Sequence, residues 1–486
     1  MNFSKKRFFW RLALYVCYTI LHSVQSVSSE INLPVLGDTS SSIVSPQQEY
    51  LIGRSWLKAF RSRVPEYNDP LVTEYLENLL LNLATYSELK DTQLELIIID
   101  NQTMNAFAVP GGIIGMHIGI FNYAKSEDQL ASVFAHELAH LSQRHFARGI
   151  EERRKNTSLG MGGLLAGLVI AATGNTDAGT ALISASQAAS LENRLRYSRS
   201  NEKEADRIGF QTIRNSGRDP GAVGQMFEQM LAAKRHTGNQ PPEFLLTHPI
   251  TEKRISDAKN RMLRLPKKYY PLSETYSFIR VRTMAQNTDS PMEKIKHFRY
   301  QLKNTYFNPD PMKYGLTLSL IQNGDYLEAR KIINELITKD PDQFIFKYTS
   351  IELDIAAQHL HNAKQKIKEL LKTRPTSFPL RFLHSMVLWK ENRYEKAIKL
   401  LKDLSRERPY DPNLWYQLAE VSGLAGDISG VHLARAEYFI LVGAFERAKH
   451  QLSSAAKLLK EDFKQNAIIQ QRLKDLVVIE RRVSSL

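Results

Sequence analysis

In the C-terminal half of the sequence, four series of positions return every 34 residues. They are Pro341, Pro375 and Pro409; Leu336, Leu370 and Leu404; Ala329, Ala363 and Ala397; and Tyr326, Leu360 and Tyr394. A period of this length means stacked supersecondary units, because one repeat cannot bury its apolar face alone. The residue types identify the unit as a pair of helices. The small Ala lets the two helices approach, the large apolar residues fill the space between them, and Pro stops the second helix. Stacked pairs form a curved α-solenoid, a surface that binds partners rather than one that does chemistry. Tyr348, Phe382, Trp389, Trp415 and Tyr416 are candidates for that surface, with repeat core as the plainer role. Phe445-Glu446-Arg447-Ala448 echoes the pattern 51 residues after Ala397, so a further helix or an irregular repeat is expected near Asp427 to Tyr438. Lys457 to Arg482 is expected as a closing helix, and residues 275–310 as an earlier degenerate repeat or a linker helix.

The chemistry lies upstream. Val133-Phe134-Ala135-His136-Glu137-Leu138-Ala139-His140-Leu141 reads H-E-x-x-H within an apolar, proline-free run. Positions four apart on a helix point nearly the same way, offset by about 40°. His136 and His140 therefore offer two imidazoles to one metal ion. Glu137 lies about 100° further round, beside the metal, where a base takes a proton from a metal-activated water. Burying these histidines without a partner would cost about 1–3 kcal/mol for each unsatisfied group, which favours a metal.

The third ligand separates the subclasses. The pattern H-E-x-x-H-x-x-G-x-x-H fails, because Gln143 and Phe146 occupy the glycine and third histidine positions. His145 is one residue off and, on a continuing helix, points away from His136 and His140. The alternative is a carboxylate on a second helix. In the segment Tyr197 to Gly209 and beyond, Ala205, Ile208, Gly209, Thr212 and Ile213 mark the buried stripe. Glu202 falls about 60° from the middle of that stripe and Glu204 about 100° on the other side, so Glu202 is the better ligand. Asp206, one turn on, is placed to accept a hydrogen bond from the free ring nitrogen of a ligating histidine. Two histidines and a carboxylate suit Zn2+ with one position left open, the arrangement of a hydrolytic centre.

Around this centre, Tyr50 to Leu83 reads as two helices broken near Pro65 to Pro70. Leu94 to Ile99, Ala106 to Val109 and Ile113 to Ile118 read as strands, and Gln129 to Arg148 as the metal-binding helix. An extended segment ahead of that helix could receive a substrate peptide by backbone hydrogen bonds. The glycine-rich stretch 160–174 is too short to span a bilayer. It has three readings: a buried hairpin, a lid over the cleft, or a contact with lipid or unfolded substrate. His248, before Pro249, is loop-borne. It could cap the open metal position at rest, help stabilise the oxyanion, or simply hold the loop. Arg254 is either its structural companion or a group facing the transition state.

The His136–His140 motif, the Glu202-Lys203-Glu204-Ala205-Asp206 stretch and Asn105-Ala106-Phe107-Ala108-Val109-Pro110-Gly111-Gly112 together resemble the HtpX and CAAX-prenyl-protease type of gluzincin, over roughly residues 50–265. The H-P-x-x-x-x-R stretch from His248 to Arg254 is similar too. The resemblance implies that Glu202, in an E-x-x-A-D pattern, is the third zinc ligand, and that Ala106 to Val109 lies beside the active cleft. With the repeats, which resemble tetratricopeptide repeats, the whole chain is similar to the BepA-like periplasmic metalloproteases. That likeness implies an endopeptidase acting on misfolded or stalled outer-membrane proteins. Its repeats would dock to the β-barrel assembly machinery, with peripheral contact to the outer membrane.

Met1 to Ser29 reads as a secretory signal, with Lys5, Lys6, Arg7 and Arg11 before the apolar run Leu12 to Leu21. Cleavage is expected before Glu30, with Val24-Gln25-Ser26 as the competing site. Loss of those four positive charges lowers the formal net charge from +14 to +10. The positives are interleaved with acids and form no aromatic-basic stripe, so nucleic acid is not expected. Cys17, the sole cysteine, falls in the leader, so no disulfide is expected. The expected organisation is a signal peptide (1–29), a flexible lead-in (30–48), and a zinc metalloprotease domain (49–265). A linker with a degenerate first repeat (266–310) and the repeat domain (311–486) follow. The fold is mainly α: a zincin-type α+β domain with a small sheet, then the solenoid. Glu137, Asp206 and His248 are the expected catalytic-centre residues, and His136, His140 and Glu202 the ligands of one zinc. The rival reading is a periplasmic scaffold or chaperone with a latent zinc site.

Overall fold

The computed structural model describes residues 44–154, 199–236, 243–286, 290–304 and 308–484. The expected leader, most of the lead-in and the glycine-rich stretch 160–174 lie outside the described residues. Helix α1 (Pro46–Arg61) opens inside the expected lead-in. Ser45 accepts from the Gln48 N–H, and the Gln48 side chain accepts from the Ser45 N–H, a reciprocal cap followed by Pro at the first helical position. Asp69 caps α2 (Pro70–Thr85) by accepting from the Leu71 and Val72 N–H groups.

Three short strands follow: β1 (Glu95–Ile99), β2 (Ala106–Val109) and β3 (Ile113–His117). Their order in the sheet is β1-β3-β2, with β1 parallel and β2 antiparallel to β3. Gly111 and Gly112, at φ 80° and 77°, make the turn between β2 and β3, a left-handed pair that only glycine takes without strain. Side chains alternate between two faces. Ile97, Ile99, Phe107, Val109 and Ile113 pack with Trp56 and Phe60 of α1. Ile98, Ala106, Ala108, Ile114 and Met116 face the main core with α3 (Glu127–Ser142). Gly115 pairs with Phe107, and a Cβ there would lie 2.1 Å from the Phe107 ring.

Ser126 caps α3, and Arg218 pairs with Glu127 and Asp128 in its first turn. The helix does not continue to Arg148 as the sequence suggested. It ends at Ser142, Arg144 takes φ 50°, and a new helix, α4 (His145–Arg154), begins. The Arg144 side chain secures this turn by pairing with Glu49 and donating to the Val44 carbonyl. Helix α5 (Arg199–Asn215) lies against α3, and Gly209 permits the close approach: a Cβ on it would stand 3.2 Å from the Ala135 backbone. Helices α6 (Gly221–His236), α7 (Glu243–Thr247) and α8 (Glu252–Leu263) complete this half.

Both α9 (Glu274–Ala285) and α10 (Pro291–Asn304) pack on α11 (Asp310–Asn323), and the next helices pair: α11 with α12 (Tyr326–Lys339), α13 (Phe344–Ala356) with α14 (Leu360–Thr373), and α15 (Phe378–Lys390) with α16 (Tyr394–Glu407). Helices α17 (Pro412–Leu424), α18 (Ile428–Leu441), α19 (Phe445–Leu458) and α20 (Phe463–Ser484) follow. The starts of α12, α14, α16 and α18 at Tyr326, Leu360, Tyr394 and Ile428 keep the spacing of 34. Ala329, Ala363, Ala397 and Ala448 are fully buried, as close helix approach requires. Helix α18 is the one expected near Asp427 to Tyr438, and the Phe445 echo falls half a repeat after it. The closing helix starts at Phe463 because Lys457 and Leu458 still belong to α19. Tyr348 and Phe382 are core, whereas Tyr416 is 46% exposed.

Helix α9 joins the halves. The Tyr276 hydroxyl donates to the Ala124 carbonyl at 2.7 Å and Arg280 Nε to the Phe121 carbonyl at 2.7 Å. Arg282 bridges Asp69 of the α2 cap and Glu352 of α13, and one apolar core runs continuously from Leu71 to Val387. The solenoid then curls back. The Phe378 N–H donates to Glu74 of α2 at 3.1 Å, Arg408 pairs with Glu77 at 2.9 Å, and the Tyr50 and Tyr410 hydroxyls meet at 3.4 Å. No helix among the described residues is long and apolar enough to cross a membrane.

Candidate metal centre

Helix α3 presents His136 and His140 one turn apart, α5 presents Glu202, and the loop after α7 presents His248. All four are buried, and each offers a donor atom within 4.8 Å of the others. His136 Nε2 stands 3.1 Å from His140 Nε2 and 3.4 Å from His248 Nδ1. Glu202 reaches His136 Nε2 and His140 Nε2 at 3.5 Å each, and His248 Nδ1 at 3.0 Å. A tetrahedral zinc with bonds of about 2.0–2.1 Å needs donors about 3.3–3.4 Å apart, so these residues fit such an ion. The donor chemistry fits as well. Imidazole nitrogens converge here with a carboxylate, and their facing lone pairs call for a cation between them.

The electrostatics of the cluster agree. Burial opposes charge on His136, but hydrogen bonds to Asp206 and Glu202 push its pKa up to about 9. Burial holds His140 well below its ordinary value. At Glu202 burial acts upward, yet His248 and the other imidazoles keep the carboxyl well below the usual range. Asp206 is likewise lowered against burial, by His136 and Arg254. The metal-free cluster thus draws positive charge to the position a cation would fill.

Glu137 is fully buried beside the cluster rather than in it. Its carboxyl is raised by burial, with His248 and His136 pulling the other way. His248 Nε2 lies 3.7 Å from its Oε1. A carboxylate with a raised pKa is the better proton acceptor near neutral pH. Asp206 Oδ1 stands 3.2 Å from His136 Nδ1, the orienting place that its spacing suggested. Arg254 binds Asp206 through two nitrogens at 2.7 Å and Glu202 at 2.8 Å, so it is the structural companion of both carboxylates rather than of His248. β2 is an edge strand. Because the Asn105 carbonyl accepts from the His117 N–H, alternate residues Phe107 and Val109 also bond to β3. Ala106 and Ala108 turn their backbone groups the other way.

The structure brings together every residue expected at the centre and sets Glu204 apart from it, 31% exposed and paired with His145 and Arg148. Sequence reasoning misplaced His145. Once α3 has ended, its ring returns to within 2.9 Å of His140 Nδ1. Burial lowers the His145 pKa, with Glu204 acting the other way. No glycine or proline at positions 143–144 announces the break.

The model of peptidase family M48 matches residues 70–262. The β-barrel assembly-enhancing protease of Escherichia coli O157:H7 is 29% identical over 453 residues, 93% of this chain and 92% of that protein. A putative β-barrel assembly-enhancing protease of Vibrio cholerae is 30% identical over 460 residues, 94% of each. The mitochondrial metalloendopeptidase OMA1 of Schizosaccharomyces pombe is 32% identical over 206 residues, 40% of this chain and 57% of its own. Likeness along almost the full length of both chains, with the matched segment holding both metal-presenting helices, means that the chain belongs to peptidase family M48 and is a BepA-like zinc metalloendopeptidase.

Proposed function

We propose that the protein is a periplasmic endopeptidase that holds one zinc ion through His136, His140 and Glu202 and hydrolyses misfolded or stalled outer-membrane proteins. The observation that carries this reading is the set of donor atoms 3.0 to 3.5 Å apart with Glu137 buried beside them. Zinc there supplies a Lewis acid that polarises the scissile carbonyl and acidifies the attacking water. Glu137 accepts the water proton and later returns it to the leaving amine. Asp206 fixes the His136 ring, and Arg254 fixes Asp206 and Glu202. The Ala106–Val109 strand offers the outward backbone groups of Ala106 and Ala108 to an extended substrate, so that the peptide joins the sheet edge.

His248 Nδ1 lies 3.4 Å from His136 Nε2 and 3.0 Å from Glu202 Oε1, which supports its reading as a resting cap that substrate must displace. A scaffold with a latent centre is the second reading that this position favours. The relatives named for β-barrel assembly support the assembly machinery as the partner of the repeats, unfolded outer-membrane proteins as substrates, and the periplasm as the compartment. The deciding experiment uses Glu137→Gln with an unfolded outer-membrane protein as substrate. The variant is expected to bind zinc as the wild type does and to cleave nothing, and equal cleavage by both removes the reading. His248→Ala is expected to cleave faster, and unchanged cleavage removes the cap.

A further inference from the structure

The two ligating histidines are held from behind by different devices. His136 Nδ1 faces the Asp206 carboxylate at 3.2 Å. His140 Nδ1 faces another imidazole, His145 Nδ1, at 2.9 Å, and His145 Nε2 faces Glu204 Oε2 at 3.1 Å. Arg148 closes the row with a hydrogen bond to Glu204 at 2.9 Å. His145 is 1% exposed and sits at the first position of α4, immediately after the left-handed Arg144.

The proton count along this row leaves one consistent arrangement. A neutral imidazole carries one N–H. His140 gives its Nε2 lone pair to the metal position, so its proton is on Nδ1. That N–H donates to His145 Nδ1, which must accept and so bears no proton. The His145 proton is therefore on Nε2, where it donates to the Glu204 carboxylate. Each group has a partner of the right kind, and the carboxylate's charge reaches His140 through one polarised ring.

We infer that His145, backed by Glu204, is the positioning residue for His140, fixing its tautomer and ring orientation as Asp206 does for His136. The inference rests on the zinc reading of the centre. It gives Glu204, which the sequence set aside as a ligand, a place one ring removed from His140. It also gives the left-handed Arg144 a purpose: a helix running on past Ser142 would carry His145 away from His140. Residues of this kind act on the ligand's basicity and orientation, and their loss typically weakens metal binding about 10–100-fold.

The test measures zinc dissociation constants by chelator competition on the full chain. Wild type is first shown to bind one zinc and His136→Ala none. If that control fails, the zinc reading itself falls, whatever His145 does. His145→Ala is expected to bind zinc about 10–100-fold more weakly, and Glu204→Gln to shift in the same direction by less. Together they should be no worse than His145→Ala alone, because the two act in series. His145→Gln, whose amide can accept from His140 and donate to Glu204, is expected to recover most of the affinity. A purely structural His145 would lower thermal stability equally with and without zinc and leave the constants at the wild-type value, which overturns the inference. Should His145→Ala fail to fold, His145→Leu replaces it as the variant that can neither accept from His140 nor donate to Glu204, and unchanged constants in both His145→Leu and Glu204→Gln overturn the inference.

Discussion

Arg282→Met removes the charge that joins the two halves of the molecule and keeps most of the aliphatic stem. In the native protein Arg282 Nε meets Asp69 Oδ2 at 2.6 Å, and its two terminal nitrogens meet Glu352 at 2.8 and 2.6 Å. The Asp69 side chain is 1% exposed and that of Glu352 24%. Water can resolvate Glu352 but not Asp69, so the penalty falls mainly on one buried carboxylate. Breaking a buried pair from one side costs about 3–5 kcal/mol. The lower end applies here, because Asp69 keeps the Leu71 and Val72 N–H groups and the Gln286 side chain. Urea unfolding followed by far-ultraviolet circular dichroism and tryptophan fluorescence measures the loss, with Trp56 reporting on α1 and Trp389 and Trp415 on the repeats. Asp69→Asn added to Arg282→Met should recover part of it, since Asn also caps a helix and carries no charge. A loss below about 1 kcal/mol would show that the buried-charge argument is wrong for this site.

Gly209→Val would place a branched side chain where even a Cβ comes within 3.2 Å of the Ala135 backbone. It is expected to cost about 1–3 kcal/mol and, by prising α5 from α3, to weaken zinc binding; retained affinity in a chelator titration would contradict this. Lys58 has its pKa pulled down from 10.5 to about 8 by burial and by the Arg61 and Arg54 charges. The unfolded chain binds more protons between those two values, so Lys58 makes stability rise with pH through that window. Lys58→Met should therefore exceed the wild type by about 1–2 kcal/mol below pH 8, after discounting for screening, and the advantage should fade toward pH 10.5; a difference that does not change with pH would refute the assignment.

The repeat architecture was legible because Ala329, Ala363 and Ala397 must be small for helices to touch, and all three are buried without exposure. The convergence of the candidate ligands was legible because H-E-x-x-H places two imidazoles by helix geometry, and the stripe on α5 leaves Glu202 turned inward. Hidden were the features that tertiary structure decides. The α3 helix ends without a glycine or proline, since the strained Arg144 is held from outside by Glu49 and Val44. Local propensity carries no trace of partners almost a hundred residues away, so the sequence pattern alone directs His145 away from His136 and His140. Arg254 was left between two roles because its partners Asp206 and Glu202 lie on another helix, α5, about fifty residues earlier in the chain. The bridge through Arg282 likewise depends on residues far apart in the chain.

The return of the solenoid onto α1 and α2 has a kinetic consequence. Glu74 meets Phe378 and Glu77 meets Arg408 across 304 and 331 residues, and Tyr50 meets Tyr410 across 360. Closing so long a loop is thermodynamically modest, because each doubling of length adds only about 0.6 kcal/mol. Pairings of such range nevertheless form late, after local helix pairs have already stacked. The chain behaves as a belt whose buckle lies at its far end: the segment made first is clasped last.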